Sequence, residues 1–277
     1  MRLLITEVIE NGSGIKYKKR LFTRVPIRLG EDVFLKQNIS EEKFDKLLKA
    51  MTAFKLIIEL FGVKNYMACG TSALREAENG KKITDRIKEQ ANVKVDIIDG
   101  KREAEIIYTC HVAEKMNHGK DYLYIDVGGG STEVTLFAQK KMIYSNSFPV
   151  GSVRMLYDKV SINDWEKMKE TIKEIGTNYH PLTAIGTGGN INKIYKLLNP
   201  KEKYIEYKTM KQLYEDISAI KIEDRIKIYG FHEDRADVIV PAAKIYLSVM
   251  KWADINDIYV PKLGLVDGII NYLYEKN

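Results

Sequence analysis

The chain has 277 residues, 45% of them hydrophobic and 30% charged, with a formal net charge of +6. That length supports a well-buried core and two medium domains, and the balanced composition excludes a disordered or fibrous chain. The longest apolar runs, 54–61 and 238–249, are too short or too broken by charge to span a bilayer, and the opening MRLLITEVIENG lacks the apolar core and cleavage site of a signal peptide, so a cytoplasmic location without a membrane partner is expected.

The run 2–9 and the run 15–25 flank Asn11-Gly12-Ser13-Gly14, which predicts strand, tight turn and strand. Ser40-Glu41-Glu42-Lys43 predicts the cap of a helix reaching about Leu60. A strand at 63–69 follows, then a short helix from Thr71-Ser72 through Glu78, ended by Asn79-Gly80. After a further helix come a strand at 93–98, a turn at Asp99-Gly100 and a helix at 102–116. The polar, glycine-containing stretch 117–121 is the expected domain boundary. Beyond it, 122–127, 133–138 and 142–148 read as three consecutive strands. Helices from Gly151 and Ile162, a strand at 182–185 and a helix from Asn190 complete the middle of the chain. The last third reads as mostly helical, apart from a strand at 258–260, and closes with a helix at 265–274. Both halves thus show paired strands followed by alternating helices and strands, the mark of an α/β protein with mixed sheets. Domain I is expected at 1–116, with the final helix 263–277 packing back on it, and domain II at 117–262.

The densest chemistry lies in YIDVGGGSTEVTLF, 124–137. A strand delivers Asp126 to its carboxyl end, where α/β sheets bind ligands. Gly128, Gly129 and Gly130 let the backbone reach an oxyanion, and Ser131 and Thr132 add hydroxyl donors. Asp126 and Glu133 repel phosphate on their own, so they would act through a bridging Mg²⁺ or a water. No Lys follows the glycines, and a strand follows where a dinucleotide fingerprint needs a helix. A second glycine group, Gly186-Thr187-Gly188-Gly189-Asn190, opens a helix and suits an anion at its N-terminus. Cys69 and Cys110 offer no ligand spacing or disulfide framework and read as buried free thiols; His180 and His232 have no ligand-spaced partners. The basic cluster Lys16-Tyr17-Lys18-Lys19-Arg20 reads as a solvated face that would assist the approach of a polyanion.

Strand, phosphate loop and strand is the arrangement of the actin-like ATPase (ribonuclease H-like) fold. The chain resembles the exopolyphosphatase and guanosine pentaphosphate phosphohydrolase (Ppx/GppA) family through GTSALREAENG (70–80), IIDGKREAEIIYTCHV (97–112), YIDVGGGSTEVTLF, FPVGSVRM (148–155), AIGTGGNINKI (184–194) and DRADVIVPAA (234–243). These pieces follow family order over almost the whole chain. The resemblance implies a cleft between two actin-like domains and hydrolysis of terminal phosphoanhydride bonds of inorganic polyphosphate, or of guanosine pentaphosphate to the tetraphosphate. It implies Glu103 as general base on water, Arg75 as a phosphate ligand, and Asp126, Gly128, Gly129, Gly130, Ser131, Thr132 and Glu133 as the phosphate and Mg²⁺ site, with Asp126 and Glu133 the metal ligands. It likewise implies Gly186, Thr187, Gly188 and Gly189 as a second phosphate loop, K⁺ as a further cation, no nucleic-acid partner, and a homodimer. Gly151 to Arg154 would shape the cleft wall, with Arg154 an ion-pair partner as an equal reading.

The family opens with a strand and a D-I-G-S-N-type loop before a strand like R-L-L-I, whereas this chain begins at MRLLITEV, inside that motif. On the order of ten to fifteen residues, including the first phosphate loop and its Asp, are not represented. The expected reason is a start assigned at an internal methionine, the alternative a degenerate relative. The C-terminal GLVDGIINYLYEKN resembles the closing helix of the short family form, with Val266 where Arg is common. Two other readings stay open: a non-catalytic sensor of polyphosphate or guanosine tetraphosphate using the same loops, and a sugar or acetate kinase of the same fold.

Overall fold

The computed structural model describes every residue except 13, 111–119, 140 and 277. In chain order the elements are β1 (Arg2–Asn11), β2 (Gly14–Arg24), α1 (Leu29–Lys36), α2 (Glu41–Leu60), β3 (Ala68–Gly70), α3 (Ser72–Glu76), α4 (Gly80–Ala91), β4 (Val95–Ile97) and α5 (Gly100–Tyr108). They continue with β5 (Asp121–Val127), β6 (Thr132–Ala138), β7 (Lys141–Phe148), α6 (Ser152–Leu156), α7 (Ile162–Asn178), β8 (Leu182–Thr187), α8 (Gly189–Leu198) and β9 (Tyr204–Glu206). Then follow α9 (Tyr207–Ser218), α10 (Ile222–Tyr229), α11 (Glu233–Ala236), α12 (Ile239–Trp252), β10 (Asp257–Tyr259) and α13 (Leu265–Glu275). The chain divides into two compact units, Met1–Asp99 with Leu265–Asn277, and Gly100–Gly264. The expected boundary at 117–121 falls largely outside the described residues, and α5 groups with the second unit.

In the first unit β1 and β2 form the expected hairpin, in register from Arg2↔Arg24 to Asn11↔Gly14 with one shift at Ile5/Thr6. Helix α2 starts where Ser40 predicts, the Ser40 hydroxyl accepting from the Lys43 amide at 3.4 Å. Its buried row, Phe44, Leu47, Met51, Phe54 and Ile58, repeats at helical spacing. The strand expected at 63–69 shortens to Ala68–Gly70, because its only ladder is the three-residue parallel match to β4 among the described residues. Helix α13 rests on the hairpin through Lys19–Asp267 at 2.6 Å, a Tyr274 hydroxyl donated to Glu10 at 2.9 Å, and Tyr17 edge-on to Tyr274. Cys110 is buried, whereas Cys69 on β3 is only half-buried; both are free thiols.

The second unit holds one six-stranded sheet in the order β7-β6-β5-β8-β10-β9. β5 runs antiparallel to β6 and parallel to β8, β10 continues parallel, and β9 closes the edge antiparallel. An antiparallel hairpin on one side of the first strand and parallel strands on the other is the actin-like order, so the α/β expectation holds. β9 is a strand the sequence reading missed: three residues are too few to show alternation, and the edge of β10 supplies its reason to exist.

Alternation along β5 and β6 sorts the two faces of this sheet. Leu123, Ile125, Val127, Val134 and Leu136 join a core built with α7, α8, α9 and α12. The opposite face carries Tyr122, Tyr124 and Asp126 beside Glu133, Thr135 and Phe137. Helix α5 covers that face, Tyr108 stacking on Phe137 at 4.4 Å while Tyr124 meets the same ring edge-on at 5.1 Å. At its other end, a Cβ built on Gly100 would fall 2.4 Å from Ser147 Cβ. The helix therefore lies with its first turn over the carboxyl end of β5. Among the described residues no helix is long and apolar enough to cross a membrane.

Candidate active site

The loop that joins β5 to β6 is held from behind. The Ser152 amide and hydroxyl both donate to the Gly128 carbonyl, at 2.9 and 3.1 Å. The amides of Val153 and Arg154 donate to the Gly129 carbonyl at 2.8 and 3.1 Å, and Arg154 Nε donates to the Gly130 carbonyl at 2.9 Å. A Cβ on Gly151 would sit 2.3 Å from the Gly129 oxygen, so only glycine lets α6 approach this closely. With three successive carbonyls drawn to one side, the peptide amides face the other. Gly128 closes the turn by donating to the Ser131 carbonyl at 2.9 Å, while the amides of Gly129, Gly130 and Ser131 have no acceptor among the described residues. Gly130 and Ser131 are buried, so each open donor costs about 1–3 kcal/mol until an oxyanion or water completes it.

The carboxylates gather on the face that α5 covers. Asp126 and Glu133 are directly opposed across the β5–β6 ladder, which puts both side chains on one side of the sheet. Glu133 is buried and one of its oxygens accepts two hydroxyls, Ser131 at 2.6 Å and Ser147 at 2.8 Å. Asp126 accepts the Thr187 hydroxyl at 2.9 Å. Glu103 stands in the first turn of α5, three residues after the Gly100 contact with Ser147, and is half-buried. Like charges placed opposite each other repel, and a divalent cation relieves that cost; these residues fit Mg²⁺. Among the described residues no group of three or more His, Cys, Asp or Glu gathers as a metal cluster, so such an ion would complete its shell from water and phosphate oxygens, the habit of Mg²⁺.

The second glycine group abuts the first. Gly188 adopts φ +92°, and a Cβ there would fall 2.5 Å from Asp126 Oδ1, so conformation and proximity both require glycine. Its amide donates to Leu263, and Gly189 opens α8. Gly186 lies under Ile191 and Ile258, inside the packing rather than at the loop surface. Asn190, buried in the first turn of α8, donates to the Val127 carbonyl at 3.1 Å and accepts from Arg235. The fully buried Tyr246 of α12 accepts from the Val127 amide at 3.2 Å and donates to the Thr187 carbonyl at 2.9 Å. Burial, and then the charge of Asp126, push the Tyr246 hydroxyl well above the ordinary tyrosine range, so it remains a donor.

Most of the residues singled out in the sequence therefore lie together in the second unit: Glu103, Asp126, Gly128 to Gly130, Ser131, Glu133 and Gly186 to Gly189. Thr132 is fully buried and its hydroxyl is donated to the Val150 carbonyl, which fastens the β7–α6 connection. Arg75 belongs to the first unit, where Nη1 donates to the Ile98 carbonyl at 2.9 Å. Arg154, an equal candidate for an ion pair, clamps Gly130 through its Nε. Ser147 and Tyr246 were not legible as site residues, because neither stands in a glycine motif and each is brought in by strand or helix packing.

A family model described as the Ppx/GppA phosphatase family matches residues 21–276. The chain belongs to the Ppx/GppA phosphatase family. It is 28% identical over 278 residues to the bifunctional 3-dehydroquinate synthase/phosphatase of Fusobacterium nucleatum, a match that takes in 91% of this chain and 41% of that longer protein. It is 24% identical to exopolyphosphatase 1 of Mycobacterium bovis over 90% of this chain and 78% of that one. Among solved structures, an exopolyphosphatase from Cytophaga hutchinsonii superimposes with a TM-score of 0.85 at 24% identity, covering 99% of this chain and 94% of that one. The Aquifex aeolicus Ppx/GppA family member gives 0.77 at 23% identity, covering 99% and 94%.

Proposed function

We propose that this Ppx/GppA family member hydrolyses the terminal phosphoanhydride bond of inorganic polyphosphate, releasing orthophosphate, with guanosine pentaphosphate as a second substrate of the same chemistry. The observation that carries the reading is the loop of unpaired amides at Gly129, Gly130 and Ser131 beside carboxylates ranged on one sheet face. Those amides hold the oxygens of the terminal phosphate, and the α8 N-terminus after Gly188 offers donors to further phosphate oxygens. Glu103 takes a proton from the attacking water while the water oxygen bonds to terminal phosphorus. The bridging P–O bond then breaks, and the shortened chain leaves with that oxygen. Mg²⁺ held by Asp126 and Glu133 would supply charge neutralisation on the phosphate oxygens. The Ser131 and Ser147 hydroxyls donated to Glu133 keep that carboxylate aimed.

The test is orthophosphate release from polyphosphate and from guanosine pentaphosphate, measured beside equilibrium binding of each. Glu103→Gln is expected to bind polyphosphate as the wild type does and to lose turnover by about 10²–10⁴-fold. Turnover near the wild-type rate in Glu103→Gln would remove the base assignment, and binding without any wild-type turnover would make the chain a sensor.

A further inference from the structure

We infer that the Tyr246 hydroxyl is a positioning group that sets the separation of the two glycine loops by bridging the ends of β5 and β8. The inference rests on reading those loops as phosphate ligands. The parallel ladder between these strands runs from Asp121↔Leu182 to Asp126↔Thr187 and then stops. At that end lie the Val127 amide and the Thr187 carbonyl. Both groups bond to Tyr246: Val127 donates to its hydroxyl at 3.2 Å, and the hydroxyl donates onward to Thr187 at 2.9 Å. A single oxygen atom, delivered from α12, is spliced between the two strand ends.

The strands diverge immediately beyond this point. Gly128 turns back to the Ser131 carbonyl, and Gly188 turns away to the Leu263 carbonyl. The splice thus lies at the root of the crevice, one residue from Asp126 and from Gly128 on one strand and one from Gly188 on the other. Asn190 extends the same bracing, its side-chain amide reaching across from α8 to the Val127 carbonyl at 3.1 Å. Val127 therefore has its amide held by α12 and its carbonyl by α8, and the loop that follows starts from a fixed plane. Without the Tyr246 oxygen, the bridge is lost and Val127 and Thr187 each lose a hydrogen-bond partner in a buried site.

Tyr246→Phe removes that one atom and keeps the ring. With the full chain, calorimetric binding of sodium tripolyphosphate in Mg²⁺ is expected to weaken about 5- to 20-fold, the scale of one or two net hydrogen bonds. Ile172→Val, in the buried core of α7, is the control, lowering thermal stability without weakening tripolyphosphate binding. Binding by Tyr246→Phe within twofold of wild type overturns the proposal, as does equal weakening in the Ile172→Val control. Absence of tripolyphosphate binding by the wild type overturns the phosphate reading itself. If Tyr246→Phe does not fold, hydrogen exchange in the wild type decides. A Val127 amide as slow as that of Ile125 supports the splice, and one as fast as an exposed turn overturns it.

Discussion

Each unit contains a hairpin followed in the chain by a parallel pair, and the two end differently. In the second unit β5 stands between the hairpin β6–β7 and the parallel strands β8 and β10, and six strands become one sheet. In the first, β1–β2 and β3–β4 are two separate two-stranded sheets, and among the described residues no strand joins them. The consequence shows in burial. All seven residues of β6 are buried, whereas β2 is mostly exposed, with Phe22 left 55% accessible. Each aliphatic side chain fully buried on the central sheet contributes about 1.5–3 kcal/mol that an exposed one does not. A central strand with both edges paired also gives a rigid platform, and the glycine loop 128–130 grows from the end of that strand.

The largest test of this contrast strikes the platform itself. Gly151→Val drives a side chain into the Gly129–Gly130 backbone and is expected to abolish polyphosphate binding and destabilise the chain by more than about 3 kcal/mol. A variant that still binds would show the loop is not held from behind by α6. Next comes hydrogen exchange of the native chain. Amides of β5 and β6 are expected to open only with global unfolding, and those of β1 and β2 at least about 2 kcal/mol more easily; equal protection would erase the difference between the units.

Smaller effects probe how the first unit is held. Asp32 accepts the Ser40 amide at 3.0 Å and lies 3.4 Å from Lys43, at the junction of α1 and α2. Burial alone would raise its carboxyl, but the Ser40 hydrogen bonds and the Lys43 charge outweigh it and leave the pKa below the ordinary 3.8. A depressed pKa gives stability that is complete above the unfolded value and fades as pH falls through the folded one. Asp32→Ala should therefore cost about 1–3 kcal/mol at pH 7 in denaturant titration, with the gap closing below about pH 4. A gap constant down to pH 2 would contradict the charge-based account. The smallest effect is expected at Lys19, half-exposed and paired with Asp267: Lys19→Ala should cost no more than about 1 kcal/mol, and less in high salt.

Much of this protein was legible in its sequence wherever a local stretch carries its own cause. Ser40 caps α2 because its hydroxyl meets an amide three residues on. YIDVGGGSTEVTLF is read as strand, anion loop and strand because three glycines between apolar alternations admit little else. The fold class, the family and the loop residues follow from such stretches. Other features waited for tertiary contacts. The two hydroxyls that follow the glycines look equivalent in sequence, yet Ser131 turns to Glu133 while Thr132 turns away to Val150. Ser147 reaches Glu133 only because β7 pairs with β6 in a register that sets those residues opposite. Helix α5, and Glu103 with it, joins the second sheet through Tyr108 on Phe137 and Gly100 on Ser147. Tyr246 reaches the end of the β5–β8 ladder from a helix 119 residues beyond Val127. Short-range geometry is written in residue types and spacing, whereas the partner of a buried hydroxyl depends on which strands and helices come to lie side by side, and that is settled by packing the whole chain.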